Sequence, residues 1–195
     1  MKKILTISRE FGAGGGTIGK RLAQETGLDY YDKELILMMA AKSNEDIYNI
    51  IKWDENVPIH FGFTQGLFDF YSRPISERVF QAQKDVIRPL GEKGNCIIVG
   101  RNANHILREF DNSLHVFIHA AFDWRLERMK KEMPDQPEQK VIEEIRAVDK
   151  KRKKYCSYHT ASEFGSSGSY DICLDSSRLG IDKCVDIIRD LVLNS

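Results

Sequence analysis

Residues 8 to 17 read Ser8-Arg9-Glu10-Phe11-Gly12-Ala13-Gly14-Gly15-Gly16-Thr17, with four glycines in five consecutive positions. A short β-branched run, Lys3–Ser8, precedes them. After them comes a stretch, Thr17–Thr26, in which Ile18, Leu22 and Ala23 share a helical face and Gly27 stands as a stop. A glycine-rich connection between strand and helix lets successive backbone N–H groups point at one centre. The helix adds its N-terminal partial positive charge. Side chains would fill that concavity, so glycine is favoured. This placement predicts a phosphate-binding loop; the plainer alternative is a strand–helix turn without a ligand.

Two registers fit. A literal Gly-x-x-x-x-Gly-Lys runs from Gly14 to Lys20, but Arg21 then stands where Ser or Thr belongs and the helix loses its start. The better register begins directly after Ser8, so that Gly12-Ala13-Gly14-Gly15-Gly16-Thr17 parallels Gly-x-Gly-Lys-Gly-Thr and Gly15 occupies the lysine position.

The rest of the chain alternates strand-like and helix-like segments. Leu28–Tyr31, Asn95–Val99, Leu114–Ile118 and Tyr170–Leu174 read as further strands, two of them near-continuous apolar runs suited to a sheet buried on both faces. Lys33–Lys42, Asn102–Phe110, Phe122–Met133 and Ile181–Leu193 read as helices. The pattern predicts one α/β domain over residues 1–195 with an open, mainly parallel sheet. Residues 44–91 contain no clear strand and read as a helical insertion. Residues 134–169, a charged helix ending in a Gly/Ser-rich stretch, read as an exposed, movable element.

Twenty-nine basic residues balance twenty-nine acidic ones, so nothing global draws the chain to nucleic acid. No apolar run reaches the roughly 20 residues of a membrane span, and the first residues lack a cleavage signal. Cys96, Cys156, Cys173 and Cys184 form no Cys-x-x-Cys pair. A cytoplasmic protein with reduced cysteines is expected.

Together with the loop, Tyr30-Tyr31-Asp32-Lys33-Glu34-Leu35, Val99-Gly100-Arg101-Asn102, Asp149-Lys150-Lys151-Arg152 and the run Tyr170–Ile181 resemble the nucleoside monophosphate kinases, specifically the cytidylate kinase-like family. The resemblance spans nearly the whole chain. It implies a three-layer P-loop fold with a parallel sheet of about five strands, a helical monophosphate-binding insertion at 44–91 and a lid at 134–169. The implied reaction is ATP plus CMP or dCMP, with Mg2+, giving ADP and the diphosphate. Gly12, Ala13, Gly14, Gly15, Gly16 and Thr17 would cradle the donor phosphates. Asp32, Arg101 and Asn102 would lie at the acceptor site, and Arg152 would reach the phosphates from the lid. Such chemistry needs charge neutralisation and alignment, for which arginine is suited.

Two positions depart from the family: Gly15 replaces a lysine and Asn102 an aspartate. Arg9 is the expected substitute for the lysine's charge, with Lys20 its rival. A nucleotide-binding protein without efficient transfer, or a kinase for another small acceptor, remains the alternative. Arg73, Arg78 and Arg88 are further candidates for the acceptor phosphate. Asp32 also suits a helix cap. The run 150–154 reads as a solvated helix face and Phe61, Phe63, Phe68, Phe70, Tyr71 and Phe80 mostly as a small core. His115 and His119 read as structural, with no metal site expected.

Overall fold

The computed structural model describes residues 3–32, 34–43 and 75–194. Five strands, β1 (Ile4–Arg9), β2 (Asp29–Tyr31), β3 (Cys96–Val99), β4 (Ser113–His119) and β5 (Ile172–Asp175), form a sheet of order β2-β3-β1-β4-β5. Every pairing is parallel, with Ile7 opposite Val99 on β3 and Arg9 opposite Ile118 on β4. Parallel strands require crossovers, and the helices supply them.

Successive residues of β1 face opposite sides. Leu5 and Ile7 join Ile97, Val99, Val116 and Ile118 beneath α1 (Gly15–Thr26) and α7 (Ser176–Asn194). Ile4, Cys96 and Ile98 face α2 (Glu34–Ser43), α3 (Ile75–Lys93) and α4 (Ala103–Ile106). Two helical layers thus sandwich the sheet. α5 (Phe122–Glu132) and α6 (Glu138–Thr160) follow β4.

Several boundaries differ from the sequence reading. α1 begins at Gly15, two residues early, because Gly14 turns the chain in the left-handed region (φ 87°) and its carbonyl accepts the Ile18 N–H at 2.9 Å. α4 ends at Ile106, not Phe110, as the chain turns into β4 with Ser113 Oγ donating to the Phe110 carbonyl at 2.6 Å. α7 starts at Ser176 because Asp175 Oδ1 accepts the N–H groups of Ser177 and Arg178; Gly180 (φ 78°, ψ 159°) then breaks it.

Of the expected insertion, residues 44–74 lie outside the described residues. The remainder belongs to α3, whose Val79, Ala82, Val86 and Ile87 are core. The expected exposed element at 134–169 is only partly so. The Lys150–Lys154 face is solvated apart from Arg152, but Tyr155 is 1% exposed and donates to Gln83 Oε1 at 2.8 Å. Phe164 meets Phe117 edge-on at 5.2 Å. His115 is structural, bonding Thr6 Oγ1 and Ser113 Oγ.

His159 stacks on Phe80 at 4.2 Å between centroids and meets Tyr155 edge-on at 4.5 Å. Burial, helped by Lys84, pushes its pKa from 6.5 down to about 4. Between those values the unfolded chain binds the proton and the folded one does not, so stability falls as pH drops through that window. His105 and His115, also lowered by burial, act in the same direction. Thermal melts from pH 7 to 4.5 are expected to show a shallower decline for His159→Phe than for the wild type. Equal slopes would contradict this.

Candidate active site

In a parallel sheet, ligands bind beyond the carboxyl ends of the strands where the order reverses. Here that point is β1, whose crossover leads to one edge while β4 and β5 lie on the other side. The glycine loop leaves β1 at this point.

The loop is suspended by hydrogen bonds from three directions. Glu10 donates its N–H to the Ile118 carbonyl at 3.0 Å and accepts the Ala120 N–H at Oε2 at 3.1 Å. Ser176 Oγ donates to the Ala13 carbonyl at 2.7 Å. From α5 and α6, Arg125 Nη1 donates to the Phe11 carbonyl at 3.0 Å while Asp149 Oδ1 accepts the Phe11 N–H at 2.8 Å. Arg125 and Asp149 also pair with each other at 2.6 Å, with side chains only 8% and 14% exposed.

This suspension leaves the helix start open to a ligand. The N–H groups of Gly15, Gly16 and Thr17 precede the first i to i−4 bond of α1, at Ile18, and a helix offers them no internal acceptor. Gly12 and Gly14 have φ values of 82° and 87°, and a Cβ on Gly14 would lie within the Ile181 side chain. Thr17 Oγ1 accepts a hydrogen bond from Arg128 Nη2 of α5 at 2.8 Å, bringing a cation to the mouth of the loop. Lys20, the rival cation, stays on the exposed face of α1.

Across the cleft, Asp32 follows β2. Its Oδ1 accepts Arg101 Nη1 at 2.7 Å and lies 3.9 Å from Arg9 Nη2; its Oδ2 accepts the Tyr30 hydroxyl at 3.2 Å. Arg101 is 6% exposed and also donates to the Val99 carbonyl at 3.3 Å. It sits in an unusual turn: Gly100, Arg101 and Asn102 have φ values of 82°, 52° and 51°. The left-handed region costs a non-glycine residue roughly 1–2 kcal/mol, and strain of this kind clusters at functional sites. Asn102 Nδ2 is buried with no hydrogen-bond partner among the described residues. Arg152 Nη1 donates to the Arg9 carbonyl at 3.0 Å, its guanidinium 5.8 Å from the Phe11 ring.

One small cleft gathers Ser8, Arg9, Arg101, Asn102 and Arg152. Four expected site residues therefore meet there, and Asp32 binds two of its arginines. Arg78 is half-buried on the first turn of α3, Arg88 pairs loosely with Glu109 on the surface, and Arg73 lies outside the described residues. Sequence reasoning missed Arg125 and Arg128, whose signal was an Arg-x-x-Arg pair on the helix after a buried strand. A larger cavity of about 270 Å3, lined by Asn104, Arg108, His115 and Tyr170, adjoins Ser8, whose Oγ donates to Asn104 Oδ1 at 3.4 Å, and gathers none of the expected site residues.

Strand order, loop and flanking arginines define the fold of a P-loop kinase. The chain matches the cytidylate kinase-like family over residues 4–178 and belongs to it. The crystal structure of an uncharacterized protein from Eubacterium ventriosum superposes with a TM-score of 0.75 at 26% identity, with both chains fully covered. A shikimate kinase from Bacteroides thetaiotaomicron superposes at 0.54 with 12% identity and 99% of each chain covered. A sugar kinase from Janibacter gives 0.55 with 14% identity, covering 100% of this chain and 95% of that one. These two share the fold. Among curated proteins, none matches the chain closely enough in sequence to count as a relative.

Proposed function

We propose that the chain is an ATP-dependent nucleoside monophosphate kinase whose acceptor is CMP or dCMP. The observation that carries the reading is that Arg9, at the base of the glycine loop, shares one cleft with Arg101, Asn102 and Arg152. These three arginines would neutralise charge on phosphates brought beside the loop. Gly12, Ala13, Gly14, Gly15, Gly16 and Thr17 present the donor cradle, and Arg128 adds charge beside Thr17. Asp32 orients Arg101 toward the acceptor. Cytosine as the base is supported by family membership alone.

In the step itself, an acceptor phosphate oxygen bonds to Pγ as the bond from Pγ to the β-bridging oxygen breaks. The electron pair leaves on ADP. The protein's part is alignment and charge neutralisation. Among the described residues no cluster of three His, Cys, Asp or Glu could hold a metal. Mg2+ would be carried on the triphosphate with water completing its shell, because the Thr17 hydroxyl already accepts the Arg128 guanidinium. It would neutralise charge on the β- and γ-phosphates.

A second reading, a kinase for another small acceptor, is favoured by the fold shared with a shikimate kinase and a sugar kinase. Among the described residues no helix is long and apolar enough to cross a membrane, and cytoplasmic residence, with no nucleic-acid or membrane partner, belongs to the proposal. The test is ADP release from MgATP with CMP, dCMP, UMP, AMP, GMP, shikimate or simple sugars supplied one at a time. CMP or dCMP is expected to give the highest kcat/KM by at least tenfold. Preference for a non-nucleotide would replace this reading with the second, and ATP binding without release would replace both with a non-catalytic role.

A further inference from the structure

We propose that Arg9 and Gly15 form a single exchange: the loop carries its long cation at the end of β1 instead of at the start of α1. Position 15 is then glycine because the Arg9 side chain occupies its space. What the cation acts on rests on the kinase reading; the steric part does not.

Gly15 is not glycine for backbone reasons. Gly12 and Gly14 hold positive φ values, but Gly15 is the first residue of α1 and takes no such conformation. It is glycine for want of room. A Cβ there would lie 2.7 Å from Arg9 Cβ, 3.0 Å from Arg9 Cγ and 3.4 Å from Ile7 Cγ2. The closest atom is the root of the Arg9 side chain, fixed by a strand paired in register with Ile118 of β4, and cannot swing aside.

The guanidinium reaches from the end of β1 toward Asp32. It is 3.9 Å from Asp32 Oδ1, and Asp32 Oδ2 is 3.8 Å from the place a Cβ of Gly16 would take. Asp32 thus neighbours both this charge and the start of α1, and it pairs with Arg101 as well. Arginine keeps its charge there and offers two parallel donors to phosphate oxygens. A lysine at 15 and an arginine at 9 exclude each other.

Two cycles test this. In thermal melts, Gly15→Ala is expected to lower the melting temperature of the wild type and to raise it, or leave it unchanged, in an Arg9→Gly background, since alanine otherwise favours a helix start. A fall of equal size in both backgrounds overturns the exchange. In calorimetric titration with MgATP, Arg9→Gly and Gly15→Lys should each weaken binding by about tenfold or more, the size of a lost charge-assisted contact. Arg9→Gly/Gly15→Lys should return to within about threefold of wild type. Additive losses, or a Gly15→Lys variant that binds as well as wild type, overturn it. The melting cycle uses no nucleotide, so it stands even if wild-type protein transfers no phosphoryl group. Conversely, wild-type transfer with additive losses sinks the exchange and spares the kinase reading.

Discussion

Replacing Arg101 by methionine is expected to lower phosphoryl transfer by about 10²–10³, the loss typical of a preorganised donor at a site of developing charge. The effect should appear in kcat and in the acceptor KM, with MgATP affinity within about threefold of wild type. Arg101 is aimed by Asp32 at 2.7 Å and held in a left-handed turn that its neighbours over-determine. Lysine at this position keeps the charge but loses the fork, so Arg101→Lys should recover only a small part. The fold should survive, because Asp32 keeps the Tyr30 hydroxyl at 3.2 Å and Arg9 at 3.9 Å. Unchanged kinetics in Arg101→Met would remove Arg101 from the acceptor site.

The second large effect is on stability. Asp149→Ala leaves the Arg125 guanidinium 8% exposed without its nearest carboxylate, which stood at 2.6 Å, and deprives the Phe11 N–H of its acceptor. Glu10 Oε2, 3.6 Å from Arg125 Nε, offsets part of the loss. Breaking a buried pair by removing one partner costs about 3–5 kcal/mol. For a chain of this size that is a fall in melting temperature of roughly 10 °C. Because Asp149 and Arg125 hold the N–H and the carbonyl of Phe11, in the two peptide units that flank it, MgATP binding should weaken as well. Adding Arg125→Met to Asp149→Ala should recover much of the stability, since the stranded charge is gone. A melting temperature within 2 °C or so of wild type in the single variant would contradict a structural role for the pair.

The strand–loop–helix opening was legible because its signals are local. Apolar runs mark buried strands, and four glycines before an amphipathic stretch mark a phosphate loop. Arg101 and Asp32, which follow strands at the carboxyl edge, were reached through the family resemblance and not through a local pattern. Neither route reached Arg125 and Arg128, because their partners Phe11 and Thr17 lie more than a hundred residues earlier and no periodicity reports such a meeting. Asp149 was visible as part of a motif, but its grip on the loop backbone was not. Gly15 read as a missing lysine. That the Arg9 side chain fills its place is a distance between two elements, which composition cannot express. The extent of α3 was hidden too, because a core helix and a helical insertion share one amphipathic pattern.

ADP release alone cannot separate transfer from hydrolysis, so the central claim is tested most directly by phosphorus NMR of the protein with MgATP and CMP. For a CMP kinase the γ-phosphoryl signal of ATP is replaced by the paired resonances of CDP alongside ADP, with inorganic phosphate a minor product. Inorganic phosphate as the main product, or an undiminished ATP spectrum with CMP and dCMP alike, would contradict that claim.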